Sequence, residues 1–386
     1  MEPMKELSNE EIGRYSRHIT LPEVGLKGQE KLKGASVLVI GAGGLGSPVL
    51  QYLAAAGIGR LGIVDGDVVD RSNLQRQVIH GMKTLDLKKV DSAKAFIDNL
   101  NPNCIVETHS CLLTKENCIE LFKKYDVICD GSDNFQTRYL ANDACVLTRK
   151  PYIYGSILRF EGQVSVFNLT NESPSYRDYI EEPPPPGMVP SCAEGGVLGV
   201  LPGLIGVLQA TEVIKVILGL GNILDGRLLS VDSLSMNFRE YKIHKNPSMA
   251  PITELVDYEH FCGLIKEEDL AISTSSNFNE ITVSELKEKI EKNENLLLVD
   301  VRTKQEREIC QIEGSIHIEL KEFKNKESID YLKEQSQNKD LCIYCKGGMR
   351  SLEATLILDQ SNIRSTNIVG GILAWAEEIE KTMPIY

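Results

Sequence analysis

The sequence predicts an α/β protein with a doubly wound first domain and a second, smaller α/β domain. Three observations predict it. Short apolar runs alternate with segments of helical periodicity from Ala35 to Leu218. A glycine run, Gly41-Ala-Gly-Gly-Leu-Gly46, separates the first apolar run from the first helical segment. After a small, polar stretch at Ile272-Ser-Thr-Ser-Ser-Asn-Phe-Asn279 the α/β pattern starts again. That stretch sets the expected division: a first domain over 1–265, a linker over 266–279 and a second domain over 280–386.

Taken in order, Ala35-Ser-Val-Leu-Val-Ile40 is a short apolar run, the mark of a strand buried on both faces. Gly46 to Ala56 is helical in pattern, and Leu61-Gly-Ile-Val-Asp65 returns as a strand. Tyr125-Asp-Val-Ile-Cys-Asp130 and Pro151-Tyr-Ile-Tyr154 read as later strands of the same sheet. Glu182-Pro-Pro-Pro-Pro-Gly-Met-Val-Pro190 is expected to be a stiff surface crossing, because proline suits neither a helix interior nor a central strand. Leu204 to Leu218 resumes as an apolar helix. In the second domain Leu296-Leu-Leu-Val-Asp-Val301 and Leu341-Cys-Ile-Tyr344 read as strands, each running into a loop.

A chain of 386 residues has room for two or three domains and a sizeable core. Its formal charge of −13 argues against nucleic acid, which wants a basic footprint. No run of about 18 apolar residues is read, so no membrane span is expected. The first residues lack the apolar core of a signal peptide, and a cytoplasmic setting is the expectation. Ten cysteines dispersed through a chain of this size are expected to be mostly buried and reduced. Cys342-Ile-Tyr-Cys345 is a C-x-x-C without a second pair, which argues against structural zinc there.

The glycine run satisfies G-x-G-x-x-G between a strand and a helix. Gly41, Gly43, Gly44 and Gly46 permit a tight turn and close backbone approach, and the helix N-terminus favours phosphate. Asp65, closing the next strand, suits a ribose hydroxyl. Alone, this favours a dinucleotide enzyme over other nucleotides, with a glycine turn that binds nothing as the bland alternative. The segment Asp65-Gly-Asp-Val-Val-Asp-Arg-Ser-Asn-Leu-Gln-Arg-Gln77 changes that balance. Around Leu74 it carries Asp67, Ser72, Asn73, Gln75, Arg76 and Gln77, polar and cationic groups for which a nicotinamide has no evident use. An ATP triphosphate does have one, since Arg76 and Lys89 would neutralise charge during attack at the α-phosphorus. Asp133, in Gly131-Ser-Asp-Asn134 after another apolar strand, is a candidate Mg²⁺ ligand.

Arg14-Tyr-Ser-Arg-His18, G-A-G-G-L-G, S-N-L-Q-R-Q, S-D-N-F-x-x-R and Cys192-Ala-Glu-Gly-Gly196 together resemble the E1-like adenylating enzymes of the MoeB/ThiF type, over residues 8–265. The resemblance implies a Rossmann-like fold and ATP-dependent adenylation of the C-terminal Gly-Gly carboxylate of a ubiquitin-fold sulfur carrier protein. It places Asn134 with the nucleotide ligands. It makes Arg17 a finger reaching the triphosphate of a neighbouring subunit, hence a homodimer, and gives Cys192 a role in attacking the activated carrier or resolving a persulfide. Such carriers serve molybdopterin, cysteine and thiamin synthesis and tRNA thiolation. Many relatives also hold zinc with two C-x-x-C pairs. Here those stretches read Ser175-Tyr-Arg-Asp178 and Asn246-Pro-Ser-Met-Ala250, so no zinc is expected and packing or ion pairs must replace it. In this the chain is similar to the zinc-less MoeZ-type adenylyltransferase/sulfurtransferases.

The second candidate site is Cys345-Lys-Gly-Gly-Met-Arg-Ser351. A strand runs into the cysteine, two glycines let backbone N–H groups curl towards the sulfur, and a following helix adds its N-terminal dipole. These effects favour a thiolate and a terminal persulfide. Arg350 adds charge or ties the loop. A phosphatase reading fits less well, because the spacing is one residue short of C-x₅-R. Asp300-Val-Arg302, Gly314-Ser-Ile-His-Ile318, C-x-x-G-x-R-S and Val369-Gly-Gly-Ile-Leu-Ala-Trp375 resemble a rhodanese domain over 280–386. Asp300 and Arg302 are expected to form an internal ion pair, and Trp375 to be core.

The favoured function is therefore carrier adenylation followed by sulfur transfer from Cys345 charged by a persulfide or thiosulfate donor. The alternatives are a Rossmann NAD-type oxidoreductase with a sulfur-binding module, or a non-catalytic carrier-binding scaffold.

Overall fold

In the computed structural model, which describes residues 6–184, 195–262 and 279–386, the apolar runs become the strands of two sheets. The chain divides into two units, Met1–Ile265 and Lys266–Tyr386. The proline-rich crossing beyond residue 184, Cys192 and residues 266–278 of the expected linker lie outside the described residues.

In the first unit β1 (Ser36–Ile40) leads through the glycine run into α1 (Gly46–Ala56), then β2 (Arg60–Val64), α2 (Lys89–Leu100) and β3 (Ile105–His109). The chain continues as β4 (Val127–Asp130), α3 (Phe135–Thr148), β5 (Tyr152–Leu158), β6 (Glu161–Phe167), α4 (Leu201–Leu218), β7 (Arg227–Asp232) and β8 (Asn237–Lys242). The strand order is β3-β2-β1-β4-β5-β6-β7-β8. The first five strands are parallel and β1, buried throughout, is central. From β5 onwards pairing is antiparallel, so the doubly wound expectation holds for β1–β5 and is corrected beyond them. β8 is exposed along its whole length and has no apolar alternation to betray it. β5 also runs past Tyr154 through Gly155, a residue that reads as a turn. Glycine is needed there because a Cβ would lie 2.3 Å from the Gln209 side chain of α4.

α4, eighteen residues with a mean hydropathy of 1.6, is long and apolar enough by composition to cross a membrane, which corrects the expectation that no such stretch exists. It packs against α1, β5 and β6, and its buried Gln209 and Glu212 each hold a backbone group. Gln209 donates to the Asp130 carbonyl at 2.6 Å, and Glu212 accepts from Leu224 N–H at 2.9 Å. Both bonds tie the helix into the core, where Gln209 Oε1 is buried with no hydrogen-bond partner.

The stretches Ser175–Asp178 and Asn246–Ala250 are stitched by oxygen and nitrogen. Asp178 accepts from the Ser175 N–H at 2.6 Å and from the Asn246 N–H at 2.7 Å, joining one stretch to the other. Its neighbour Arg177 makes a bidentate pair with the buried Asp143 at 2.9 and 2.7 Å. Tyr258 donates to that carboxylate at 2.7 Å, and the guanidinium lies 4.6 Å from the Phe261 ring centroid.

The second unit is a parallel sheet of β9 (Asn279–Ile281), β10 (Leu296–Asp300), β11 (Ile316–His317), β12 (Asp340–Tyr344) and β13 (Thr366–Ile368), ordered β11-β10-β12-β13-β9. Around it pack α5 (Val283–Glu291), α6 (Lys304–Ile309), α7 (Lys326–Gln335) and α8 (Met349–Gln360). Cys345 joins Val299 and Ile343 in one apolar cluster, whereas Cys342 joins Ile368 and Trp375 in another, so the C-x-x-C divides between two clusters. Trp375 is core, as expected.

Removing one partner of a buried ion pair strands the other charge and costs roughly 3–5 kcal/mol. Arg177→Met is thus expected to lower the stability of the first unit by about 3 kcal/mol in urea denaturation. A chelator is expected to leave the wild-type transition unmoved; a transition that shifts on chelation would show that metal, and not this clip, holds the two stretches.

Candidate functional site

The glycine run is built by backbone crowding. Gly41 has φ +86°, and a Cβ on Gly46 would lie 1.9 Å from the Gly41 carbonyl oxygen, so neither position admits a side chain. Gly43 and Gly44 face the segment that follows β2: a Cβ on Gly43 would lie 3.6 Å from Gln77 Nε2, and one on Gly44 3.8 Å from the Arg76 side chain. Ala42, between them, is clamped at both backbone atoms. Its N–H donates to Asp65 Oδ2 at 2.8 Å, and its carbonyl meets His80 Nε2 at 2.9 Å. The carbonyl can only accept, so Nε2 carries the hydrogen and Nδ1 accepts from the Ser92 hydroxyl at 2.8 Å. Burial lowers the His80 pKa, which keeps this neutral form.

Asp65 stands at the end of β2, its other oxygen accepting from Asp67 N–H at 2.8 Å. Lys89, the first residue of α2 and buried, donates to the exposed Asp67 carboxylate at 2.7 Å. Ser72 and Asn73 form a 3₁₀ turn capped by Asp70, whose carboxylate takes the Ser72 N–H and hydroxyl at 2.7 and 2.5 Å. Those bonds hold the Asp70 carboxyl below its usual range. Leu74 is half-buried and Gln75 exposed, and a Cβ on Gly199 would lie 2.5 Å from the Gln75 side chain. Gln77 is buried. On the next strand over, Asp133 is exposed in the β4–α3 loop, while Asn134 caps α3 by accepting from Thr137 N–H at 2.8 Å. Beneath that loop the buried Asp130 accepts from Ser132 N–H at 2.8 Å and Tyr152 hydroxyl at 2.5 Å. Burial raises its pKa, and the nearby Arg138 charge opposes that rise.

In the Arg14–His18 motif the structure fixes three members to the scaffold. Arg14 donates to the Leu100 carbonyl at 3.0 Å, the Tyr15 hydroxyl accepts from Asn101 at 2.8 Å, and His18 Nδ1 meets Gln29 Oε1 at 3.1 Å. Arg17 is left exposed on the helix Ser16–Ile19. The glycine run thus gathers Asp65, Arg76 and Gln77 at the carboxyl edge of the sheet, with Lys89 held to Asp67 beside them.

In the second unit β12 runs straight into Cys345, which is almost wholly buried. The Gly348 N–H donates to Sγ at 3.0 Å and the Ser351 hydroxyl at 3.4 Å. Gly348 needs its φ of +105° for that approach. The Val369–Trp375 motif forms the floor: Ile372 N–H donates to the Cys345 carbonyl at 2.9 Å and Leu373 N–H to that of Lys346 at 3.2 Å. A Cβ on Gly371 would lie 2.5 Å from the same Cys345 oxygen. Arg350, grouped with the catalytic residues on sequence, here ties the loop. It donates both Nη atoms to Glu306 at 2.8 and 2.7 Å, anchoring the start of α8 to α6. The Asp300–Arg302 pair forms as expected, fully buried at 2.6 and 2.9 Å.

Sequence reasoning missed His80, Glu306 and Gln209. For Glu306 a signal existed, since Thr303-x-x-Glu306 spells a capping box, which it does form. For His80 and Gln209 no spacing announces the backbone groups they hold.

A crowded glycine turn edged by cations at one sheet, and a cysteine met by a backbone donor at another, define an enzyme that activates a substrate with a nucleotide and handles sulfur. Residues 15–251 match the ThiF family and residues 282–378 the rhodanese-like domain. The chain is 47% identical over its whole length to the probable adenylyltransferase/sulfurtransferase MoeZ of Mycobacterium tuberculosis, spanning 98% of that protein. It is 42% identical to the adenylyltransferase and sulfurtransferase MOCS3 of Aedes aegypti, over 99% of this chain and 91% of that one. The crystal structure of selenomethionyl PaaA covers 63% of this chain and 76% of its own at 26% identity, with a TM-score of 0.52. Escherichia coli MccB, crystallised with ATP, shares the fold at 22% identity and a TM-score of 0.52, over 64% of this chain and 75% of its own. The chain belongs to the ThiF family, joined to a rhodanese-like domain, and is an adenylyltransferase and sulfurtransferase.

Burial alone would raise the Glu306 pKa, but the Arg350 fork and the Thr303 donors outweigh it and hold it at about 2, against an ordinary 4.5. A carboxylate so lowered contributes stability that is complete above its unfolded pKa and is lost as pH falls towards the folded one. Trp375, the sole tryptophan, lies in this unit, so its fluorescence reports the unit's unfolding. Wild type is expected to lose stability as pH falls from 4.5 towards about 2, and Glu306→Gln to lose less over the same interval.

Proposed function

We propose that the first unit adenylates the C-terminal Gly-Gly carboxylate of a ubiquitin-fold sulfur carrier with ATP, and that Cys345 then supplies the sulfur that replaces AMP. One observation supports this above all: a crowded glycine turn at a helix N-terminus and a backbone-cradled cysteine occur in the same chain. A carboxylate is a poor electrophile, and adenylation gives it AMP as a leaving group.

Gly41, Gly43, Gly44 and Gly46, with the N-terminus of α1, are the groups that would hold the triphosphate, and Asp65 the ribose. The turn fits close phosphate approach because no Cβ stands in its way. Arg76 and Lys89 would meet charge building at the α-phosphorus, with Lys89 drawn from Asp67. Asp133, an exposed hard oxygen donor beside this edge, would hold Mg²⁺, which supplies charge neutralisation when bound. Arg17, outward-facing while its motif neighbours are pinned, suits a finger reaching a second copy's nucleotide, which makes the active form a homodimer.

In the first step a carrier carboxylate oxygen bonds to the α-phosphorus and the bond to pyrophosphate breaks. The terminal sulfur of a Cys345 persulfide then bonds to the acyl carbon, and AMP leaves. An external dithiol, with Cys192 the candidate to assist, opens the acyl disulfide: one of its thiolates bonds to Cys345 Sγ, the carrier departs as thiocarboxylate, and the second thiolate then frees Cys345 as the dithiol becomes a disulfide. Persulfide or thiosulfate recharges Cys345. This thiol chemistry belongs in a reducing compartment such as the cytoplasm.

Pyrophosphate exchange into ATP is expected only with a Gly-Gly-ended carrier. Asp133→Ala should abolish exchange yet keep sulfur transfer from thiosulfate to cyanide. Cys345→Ala should keep exchange yet yield no thiocarboxylate by mass spectrometry. Loss of both activities in Asp133→Ala, with the fold intact, would sink this division of labour.

A further inference from the structure

We propose that Tyr386 is a positioning residue for sulfur uptake at Cys345, holding Lys346 at the cradle for an anionic donor. The proposal rests on the reading of Cys345 as the sulfur-accepting group. The Tyr386 ring lies under the Lys346 ammonium at 4.7 Å from its centroid. Lys346 is the residue next to the nucleophile, and its backbone is already fixed to the floor by Leu373. The ring therefore restrains the one part of Lys346 that the backbone leaves loose.

At its other end Tyr386 is itself fixed. Its hydroxyl accepts from Arg302 Nη1 at 2.5 Å and donates to Glu306 Oε1 at 3.4 Å. Arg302 is locked to Asp300, and Glu306 is the carboxylate that grips Arg350. One side chain thus links both ends of the Cys345–Arg350 loop to the buried ion pair. Burial pushes the phenol up to about 12, so it stays neutral over the working range and presents an intact ring face to the cation.

Thiosulfate is a dianion, and uptake from it balances without a further reactant. The Cys345 thiolate bonds to the outer sulfur, the sulfur–sulfur bond of thiosulfate breaks, and sulfite leaves with that electron pair. A lysine free to rotate must be ordered before it meets the incoming charge, and a lysine already held over a ring has less to lose. Tyr386 therefore acts through Lys346 on donor binding, more than on the transfer step.

The test uses the full chain and steady-state sulfur transfer from thiosulfate to cyanide. Tyr386→Leu should raise the KM for thiosulfate about three- to tenfold, the range of a partly exposed cation–π contact, with little change in kcat. Tyr386→Phe keeps the ring but loses its hydroxyl anchors, and should raise KM less than Tyr386→Leu does. In a Lys346→Met background, Tyr386→Leu should add nothing further to KM. A wild-type KM in Tyr386→Leu, or the same rise with and without Lys346, overturns the assignment. If Tyr386→Leu fails to fold, Lys346→Met alone decides: it must raise KM likewise, and an unchanged KM overturns the proposal. A wild-type protein that gains no sulfur mass at Cys345 from thiosulfate overturns the reading of the cradle as well, which separates that failure from a failure of Tyr386 alone.

Discussion

The carboxyl ends of β1 and β4 approach until Gly41, Gly46 and Gly131 meet backbone to backbone, with a Cβ on Gly131 only 2.9 Å from the Ile40 carbonyl oxygen. Everything at that edge follows from this contact. The approach brings the N-terminus of α1 onto the strand ends, brings the Asp133 loop beside it, and leaves Ala42 to be clamped by Asp65 and His80. A methyl group at any of the three would push helix and strands apart. The second unit obeys the same constraint, for Gly371 lets the floor of the cradle reach the Cys345 and Lys346 carbonyls.

Much of this was legible in the sequence, and for identifiable reasons. Strands buried on both faces write themselves as apolar runs, and α1 was bounded at Gly46 and Ala56 by a glycine at each end. Cys345, Gly348 and the Asp300–Arg302 pair were legible because their chemistry depends on neighbours close in sequence. What failed depended on distant partners. β8 pairs antiparallel without apolar alternation, Glu306 meets Arg350 across 44 positions, and Asn246 meets Asp178 across 68. Ser72 and Asn134 also have local partners, within a turn and at a helix cap.

Among the described residues, Asp130 near Arg138, Asp143 with Arg177 and Asp300 with Arg302 are fully buried carboxylates beside an arginine. Desolvation makes such groups costly, so their value lies in geometry more than in stability. Each carboxylate also takes hydroxyl or backbone donors, from Tyr152, Tyr258 and Tyr344 among others. The result is a set of fixed points at the edges where loops turn towards the two sites.

The clip around Asp178 has a consequence for chemical compatibility. A zinc site would place four thiolates in a protein that passes reactive sulfur from hand to hand, and thiolates exchange with persulfides and disulfides. Carboxylate and amide groups do not. The structural thiols are also quiet: burial pushes Cys104 up to about 12 and Cys118 and Cys342 up to about 11, so they stay protonated and poor nucleophiles. The two stretches are thus held together by groups that the chain's own reagent leaves alone.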